Sequence, residues 1–209
     1  MPKTHPIRGR LNAWLLSKAE RLMHKQYGRV KSRLLADVPA TVVELGSGAG
    51  ANLRYLPRGT RLIAIEPNPY MHDVLRRRAA EHGIELDLRG LVGEALDLPD
   101  ASADFVFSSL VFCTVGNPAQ VLSEVKRVLR PQGRFVCVEH VAAPAGSGIE
   151  AAQRLLRRPW KWLFEGCDLC RDTGSTLREA GFASTTIEPF VPKDSPAIVR
   201  HHVLATCVR

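Results

Sequence analysis

From residue 41 onward, short apolar runs alternate with helical patterns, and this alternation constrains the fold more than any other feature of the chain. TVVELG (41–46), RLIAIE (61–66), ADFVFSSLVF (103–112) and RFVCVEHV (134–141) are nearly continuous apolar runs, while ELDLRGLV (85–92) alternates with period two. Between them lie helical patterns from Pro69 to His82 and from Asn117 to Leu129, the second stopped by Pro131-Gln132-Gly133. Strands separated by helices at this pitch build right-handed βαβ units and a parallel sheet. Strands buried on both faces read as continuous apolar runs, as these do. The end of the chain differs. After a helical stretch, TGSTLREAGF (173–182), TTIEPFV and HHVLATCV follow with no helix between them. Two strands joined only by a loop pair as a hairpin, so one runs antiparallel to the rest.

The expected fold is therefore α/β: a Rossmann-like seven-stranded sheet, mostly parallel, with one antiparallel strand in a C-terminal hairpin and helices on both faces. At 209 residues the chain suits a single domain, 1–209. Residues 8–36 read as a helical cap, with Leu11, Trp14, Leu15, Leu22, Val30 and Leu34 at roughly helical spacing among basic residues. Such a helix either packs on its own domain or lies at a membrane interface. Residues 41–140 form the ligand-binding core, 141–170 an inserted segment, and 171–209 the final helix and hairpin. The insert carries a helix, 149–165, expected to break near Pro159.

No run of about 18 apolar residues is present, so no spanning helix is expected. The basic N-terminus lacks the pattern of a secretory signal, which points to the cytoplasm. Five scattered cysteines do not make a disulfide framework. Cys167 and Cys170 have the spacing of half a zinc site, but no second half is visible, and no metal is expected. The net charge of +8 is not gathered in a block, and no nucleic-acid motif accompanies it. A solvated basic surface, or peripheral contact with a membrane, is expected in preference to nucleic acid. Nothing fixes an oligomeric state.

In VVELGSGAGANLRYLP (42–57) a strand leads into three glycines spaced by two, and then into the start of a helix. Such a turn lets a ligand approach the backbone at Gly46, Gly48 and Gly50, where free N–H groups await it. Glu66 ends the second strand, where a carboxylate can accept from both hydroxyls of a ribose. Together they signal a nucleoside-containing cofactor. The stretch also satisfies the dinucleotide pattern G-x-G-x-x-A, so an NAD-dependent oxidoreductase stays in view. Three features weigh against it. Glu44 at the strand tip would repel a pyrophosphate and suits an ammonium or sulfonium. GEALDLP (93–99) follows the third strand, with Glu94 to accept from an adenine amino group and the Ala95 N–H to donate to the ring. The terminal hairpin departs from an all-parallel dinucleotide fold.

ELGSGAG, IEPNPYM, GEALDLP, SADFVFSSLVFC, EVKRVLRPQG and VEH, in that order over residues 41–140, resemble the class I S-adenosylmethionine-dependent methyltransferases. SLVFCTV, EHVAAP and the later W-K…G-C…R-D-T are similar to the animal membrane-associated alkyl thiol methyltransferases and their bacterial relatives. The animal proteins carry a hydrophobic N-terminal anchor, and residues 1–40 hold no such stretch, so peripheral rather than stable attachment is expected. The resemblance implies S-adenosylmethionine as cofactor and S-adenosylhomocysteine as product. Gly46, Gly48 and Gly50 would line the methionine portion, with Glu44 near its amino group and Glu66 on the ribose. Asn68 and Met71 would flank the adenosine, and Glu94 and Ala95 would read the adenine. Ser109 and Leu110 would close the methionine side, and Tyr27 would cap the pocket.

The expected reaction is methyl transfer to a small, apolar acceptor. A thiol suits a site with little acid–base machinery, because its thiolate is accessible near neutral pH. A phenol, quinone-type or lipid-amine acceptor is the alternative, and a silent cofactor binder is a further one. Glu139 and His140, at the tip of the fifth strand, and Asp168, in the insert, are the candidate catalytic groups. Trp160, Trp162 and Phe164 supply either an apolar substrate wall or ordinary packing.

Overall fold

A computed structural model describes residues 5–209. Seven strands form one sheet in the order β3-β2-β1-β4-β5-β7-β6. They are β1 (Thr41–Leu45), β2 (Arg61–Ile65), β3 (Glu85–Arg89), β4 (Ala103–Ser109), β5 (Leu129–His140), β6 (Ser184–Phe190) and β7 (His202–Val208). The first five pair in parallel, and β7 runs antiparallel between β5 and β6. This is the expected Rossmann-like arrangement, and the chain order reverses between β1 and β4. The crevice for a ligand opens at such a reversal, outside the carboxyl ends of the strands.

Alternation along the strands builds a core on each face. Val43, Leu45, Ile63 and Ile65 pack with Val121, Leu122, Val125 and Val128 of α4 (Pro118–Val128) and Leu177 of α6 (Thr173–Glu179). Val42, Leu62 and Ala64 face the other way, onto Leu75 and Ala79 of α3 (Pro69–His82). Proline after an Asn N-cap starts both α3 and α4, and Gly83 in the left-handed region stops α3.

Four expectations are corrected. The N-terminal helix is two segments, α1 (Pro6–Lys18) and α2 (Glu20–Leu34). Helical bonding nevertheless runs through the junction, since the Ala19 N–H donates to the Leu15 carbonyl and Met23 donates to Ala19. The insert helix α5 (Gly148–Leu163) does not break at Pro159. Proline there leaves the Leu155 carbonyl without its helical donor, and Leu155 is exposed enough for water to replace it. β5 begins at Leu129, so the Pro131-Gln132-Gly133 turn lies inside the strand's span rather than before it. Finally, the glycine turn opens no α-helix. Only a 3₁₀ turn, Leu53–Tyr55, follows it.

Candidate active site

The glycine turn is held by packing as much as it is kept open for a ligand. Gly46 has φ +62°, and a Cβ there would meet Val111 Cγ2 at 2.5 Å. At Gly48 (φ +55°) the nearest atom to a Cβ would be Met71 Sδ at 3.6 Å, so this glycine borders free space. With no helix behind the turn, its N–H groups are not a helix terminus. The Gly48 N–H instead donates to Glu66 Oε2 at 2.8 Å. Asn68 N–H donates to Glu66 Oε1 at 2.7 Å. One carboxylate thus ties the turn after β1 to the turn after β2. Burial pushes the Glu66 carboxyl up to about 7, against the pull of these two N–H groups.

A cavity of about 1040 Å³ opens at this crevice. Gly46, Gly48, Glu66, Asn68, Met71, Glu94, Ser109 and Leu110 line it, eight of the residues expected at the cofactor. Their placement is uneven. Glu94 Oε1 accepts from the N–H groups of Gly116 and Asn117, at 2.9 and 3.2 Å. Its carboxylate therefore braces the approach to α4 as well as facing the cavity.

Four expected residues are not on the cavity wall. Gly50 packs against Leu53 and Leu75 instead. The Ala95 N–H bonds the Val92 carbonyl at 3.2 Å, so it is not offered to an adenine ring. Tyr27 does not cap the pocket: its hydroxyl bonds His202 Nε2 at 2.9 Å, and its ring packs beside Phe190. Glu44 is fully buried next to the wall, where burial raises its carboxyl while the Asn52 amide bond at 2.5 Å opposes the rise.

Sequence reasoning missed Lys31. In a helix rich in Lys and Arg it reads as one more surface cation. The structure leaves it 2% exposed on the cavity wall, with Nζ 5.4 Å from the centre of the Tyr27 ring. Burial lowers its ammonium to about 8, opposed by the charges of Glu44 and Glu139. Only its register with Met23, also on the wall and two helical turns earlier, would have marked it.

Four polar atoms around this end of the cavity are buried without a partner among the described residues: Glu44 Oε2, Ser47 Oγ, Asn52 Oδ1 and Ser109 Oγ. Buried polar groups in folded proteins are nearly always satisfied. A carboxyl with one unpartnered oxygen near a buried ammonium fits an amino-acid zwitterion, Glu44 toward its amino group and Lys31 toward its carboxylate. Glu66 keeps lone pairs free for ribose hydroxyls. The residues present therefore suit S-adenosylmethionine from its methionine end to its ribose.

The three candidate catalytic groups are not on the cavity wall either. Glu139 accepts from Ser108 Oγ at 2.9 Å and from the N–H groups of Val111 and Phe112 at 2.9 and 3.0 Å. It thereby holds the turn after β4, where Leu110 stands at φ +61°, a costly conformation for leucine. Asp168 binds Arg157 through both oxygens, at 2.8 and 2.7 Å. Burial would raise the Asp168 carboxyl, but the Arg157 guanidinium and the Cys170 N–H hold it below the usual range. His140 Nε2 lies 3.2 Å from Cys167 Sγ, and its Nδ1 is buried without a partner among the described residues. Cys167 does not face Cys170 as a pair. It joins Cys113 and His140, all three donor atoms lying within 4.8 Å of one another. Trp162 and Phe164 reach the cavity wall, whereas the Trp160 indole N–H bonds Cys167 Sγ at 3.3 Å.

Residues 43–137 match the methyltransferase domain family. The chain is 33% identical to thiol S-methyltransferase TMT1B of Rattus norvegicus over 202 residues, 95% of this chain and 83% of that one. It is 34% identical to thiol S-methyltransferase TMT1B of Homo sapiens, over 95% of this chain and 84% of that protein. Its backbone matches a chain from the complex of a Haloferax volcanii methyltransferase activator with its methyltransferase, with a TM-score of 0.69 and 18% identity. That match covers 94% of this chain and 96% of the other, and it concerns the fold. With the cofactor-shaped crevice and these relatives in hand, the chain belongs to the S-adenosylmethionine-dependent methyltransferases, in the family that includes the mammalian thiol S-methyltransferases.

Proposed function

We propose that this methyltransferase acts on a small apolar thiol. The observation that carries the reading is the commitment of the candidate bases. Glu139 is tied up in three hydrogen bonds, Asp168 in an ion pair, and His140 Nε2 on Cys167. With these three committed, an acceptor that ionises readily by itself is favoured. A thiol with a pKa near ~8.5 does so more easily than a phenol near ~10. Arg8, Lys31, Arg158 and Lys161 line the same cavity, and cations nearby favour the thiolate. Leu16, Met23, Val115, Trp162 and Phe164 give the wall its apolar part, which suits an alkyl or aryl body. The relatives named for thiol methylation point the same way.

The bound cofactor supplies an activated methyl group on its sulfonium. The chain's own part is alignment and exclusion of water. Glu66 and Gly48 hold the turn that positions the ribose, and Glu44 and Lys31 grip the amino-acid end. Glu139 fixes the Val111 and Phe112 backbone, and with it the strained Leu110 turn on the cavity wall. The tie between Arg157 and Asp168 braces the insert internally, and the Asp168 N–H bond to the Cys113 carbonyl holds it to the turn after β4.

Glu165 also lines the cavity, and burial raises its carboxyl above the usual range. It is the base that a phenol acceptor would call on. The test is release of S-adenosylhomocysteine with an alkyl thiol, its phenol analogue and its amine analogue. Thiol-selective release is expected, and turnover of the phenol or the amine alone refutes the thiol.

A second observation favours peripheral contact with an anionic membrane. No helix among the described residues is long and apolar enough to cross a bilayer. Yet Ile7 (73% exposed) and Trp14 (59%) on α1 stand out, as do Leu155 (81%) and Trp162 (65%) on α5. The two helices touch, Arg8 donating to the Trp162 carbonyl at 2.6 Å. Apolar side chains set among Arg10, Arg154 and Arg158 match an interfacial surface. Cosedimentation with phosphatidylserine vesicles, lost in Trp14→Ser with Leu155→Ser, is the expected result. No binding by the parent protein refutes it.

A further inference from the structure

We propose that Cys113, His140 and Cys167 form a binding site for a thiolate-preferring metal ion, with zinc as the ion to test. Cys113 follows β4, His140 ends β5, and Cys167 follows α5, so three remote segments deliver the donors to one point. The donor atoms lie within 4.8 Å of one another, and His140 Nε2 is already 3.2 Å from Cys167 Sγ. Zinc bound tetrahedrally at ~2.3 Å to sulfur and ~2.0 Å to nitrogen sets its donors roughly 3.5–3.8 Å apart. The site needs only small shifts to reach that spacing, a slight opening of the His140–Cys167 pair and a closing of any donor still near the 4.8 Å limit. Two sulfurs and one imidazole are a donor set that selects zinc over magnesium or calcium.

The surroundings of Cys167 are those of a held thiolate. Cys113 and His140 are buried, and the Trp160 indole N–H points at Cys167 Sγ from 3.3 Å, a contact of the outer-shell kind. The Asp168 N–H donates to the Cys113 carbonyl at 2.8 Å, which fixes the two cysteine-bearing segments against each other. Cys170, whose spacing from Cys167 suggests a ligand pair, is not in the group. Uptake of Zn²⁺ displaces the two thiol protons to solvent, leaving two thiolates and a neutral imidazole on the ion. Three protein donors leave a fourth position for water or another ligand. Val111, Thr114 and Gly166, which flank the cysteines, line the cavity, so the ion would sit just behind the acceptor wall. It would pin the roofing insert to the turn after β4. The inference concerns the ion alone and stands whether the acceptor is a thiol, a phenol or an amine.

The test uses the full chain, reduced with a phosphine, stripped with chelator and exchanged into metal-free buffer. Zn²⁺ is added in competition with a chromophoric chelator, and bound metal is counted after desalting. One zinc per chain is expected, with affinity reduced at least about tenfold in Cys113→Ser and in Cys167→Ser. Cys170→Ser should bind like the parent. Since a buried Cys113→Ser chain can fail to fold, Co²⁺ added to the unaltered protein gives a reading that needs no variant. A thiolate-to-cobalt charge-transfer band is expected. Absence of stoichiometric zinc and of that band in the reduced protein overturns the proposal, and so does binding that Cys170→Ser abolishes. A Cys113–Cys167 disulfide forming under peroxide with no metal uptake by the reduced protein overturns it as well, leaving a thiol pair only.

Discussion

Glu66→Gln tests the cofactor end of the site most directly. The parent carboxylate accepts the Gly48 and Asn68 N–H groups through its two oxygens and keeps lone pairs for two ribose hydroxyls. The amide has one donor end, which must face one of those N–H groups, so one backbone bond is lost and one ribose hydroxyl loses its acceptor. A hydrogen bond to a charged group is worth ~1.5–3 kcal/mol, so a loss of at least ~1.4 kcal/mol is expected, about tenfold in Kd. The parent's pH dependence gives a second reading. The empty-site carboxyl lies near 7, and the hydroxyls bind its ionised form, so the complex has the lower value. Below about 7 a proton must therefore leave on binding, and affinity should fall by ~tenfold per pH unit as pH drops. Above that value this group adds no dependence. Calorimetric titration with S-adenosylhomocysteine, in buffers of different ionisation heat, reads both Kd and proton release. A folded Glu66→Gln chain with unchanged Kd and the parent's acid limb would refute the assignment.

Lys31→Met should weaken cofactor binding by about tenfold and remove an alkaline limb. The ammonium titrates near 8 when the site is empty, and a bound carboxylate raises it, so parent affinity should fall above about 8. Gly46→Ala combines a left-handed φ with a 2.5 Å clash on Val111, and its melting temperature and cofactor affinity should both drop. Glu139→Gln should keep turnover, because the amide can donate to Ser108 Oγ and accept from Val111 and Phe112. Glu139→Ala strands those N–H groups and should cost roughly 3 kcal/mol in denaturant unfolding. Loss of turnover in a stable Glu139→Gln chain would mark a proton-transfer role instead.

Much of the fold was legible because its signals are local. The pattern of α3 gave Pro69–His82 at both ends, since an Asn-Pro start and a glycine stop are written in adjacent residues. Four strands of the parallel core could be read from apolar runs, β3 from its period-two alternation, and the hairpin from the missing helix. The apolar run 103–112 outlasts β4, which stops at Ser109, and beyond it the Glu139 carboxylate of the neighbouring strand takes the Val111 and Phe112 N–H groups. No apolar count contains that information.

The acceptor side was less legible for the same reason. The contacts that pack the segments behind its wall join positions far apart in the chain: Tyr27 to His202, Gln153 to the Ile198 carbonyl, Cys113 to Cys167. A spacing rule sees Cys167 with Cys170, three residues away, and cannot see Cys113, which arrives from the turn after β4. The cofactor side relies on a turn, a strand end and one acid, each a local pattern with its own chemistry. The acceptor side relies on how the insert settles on the sheet. That division explains why one sequence states the reaction clearly and the substrate poorly. The groups proposed for the methyl donor lie where the parallel fold opens its crevice, and those proposed for the acceptor lie on surfaces that form only after α1, α2 and α5 have packed.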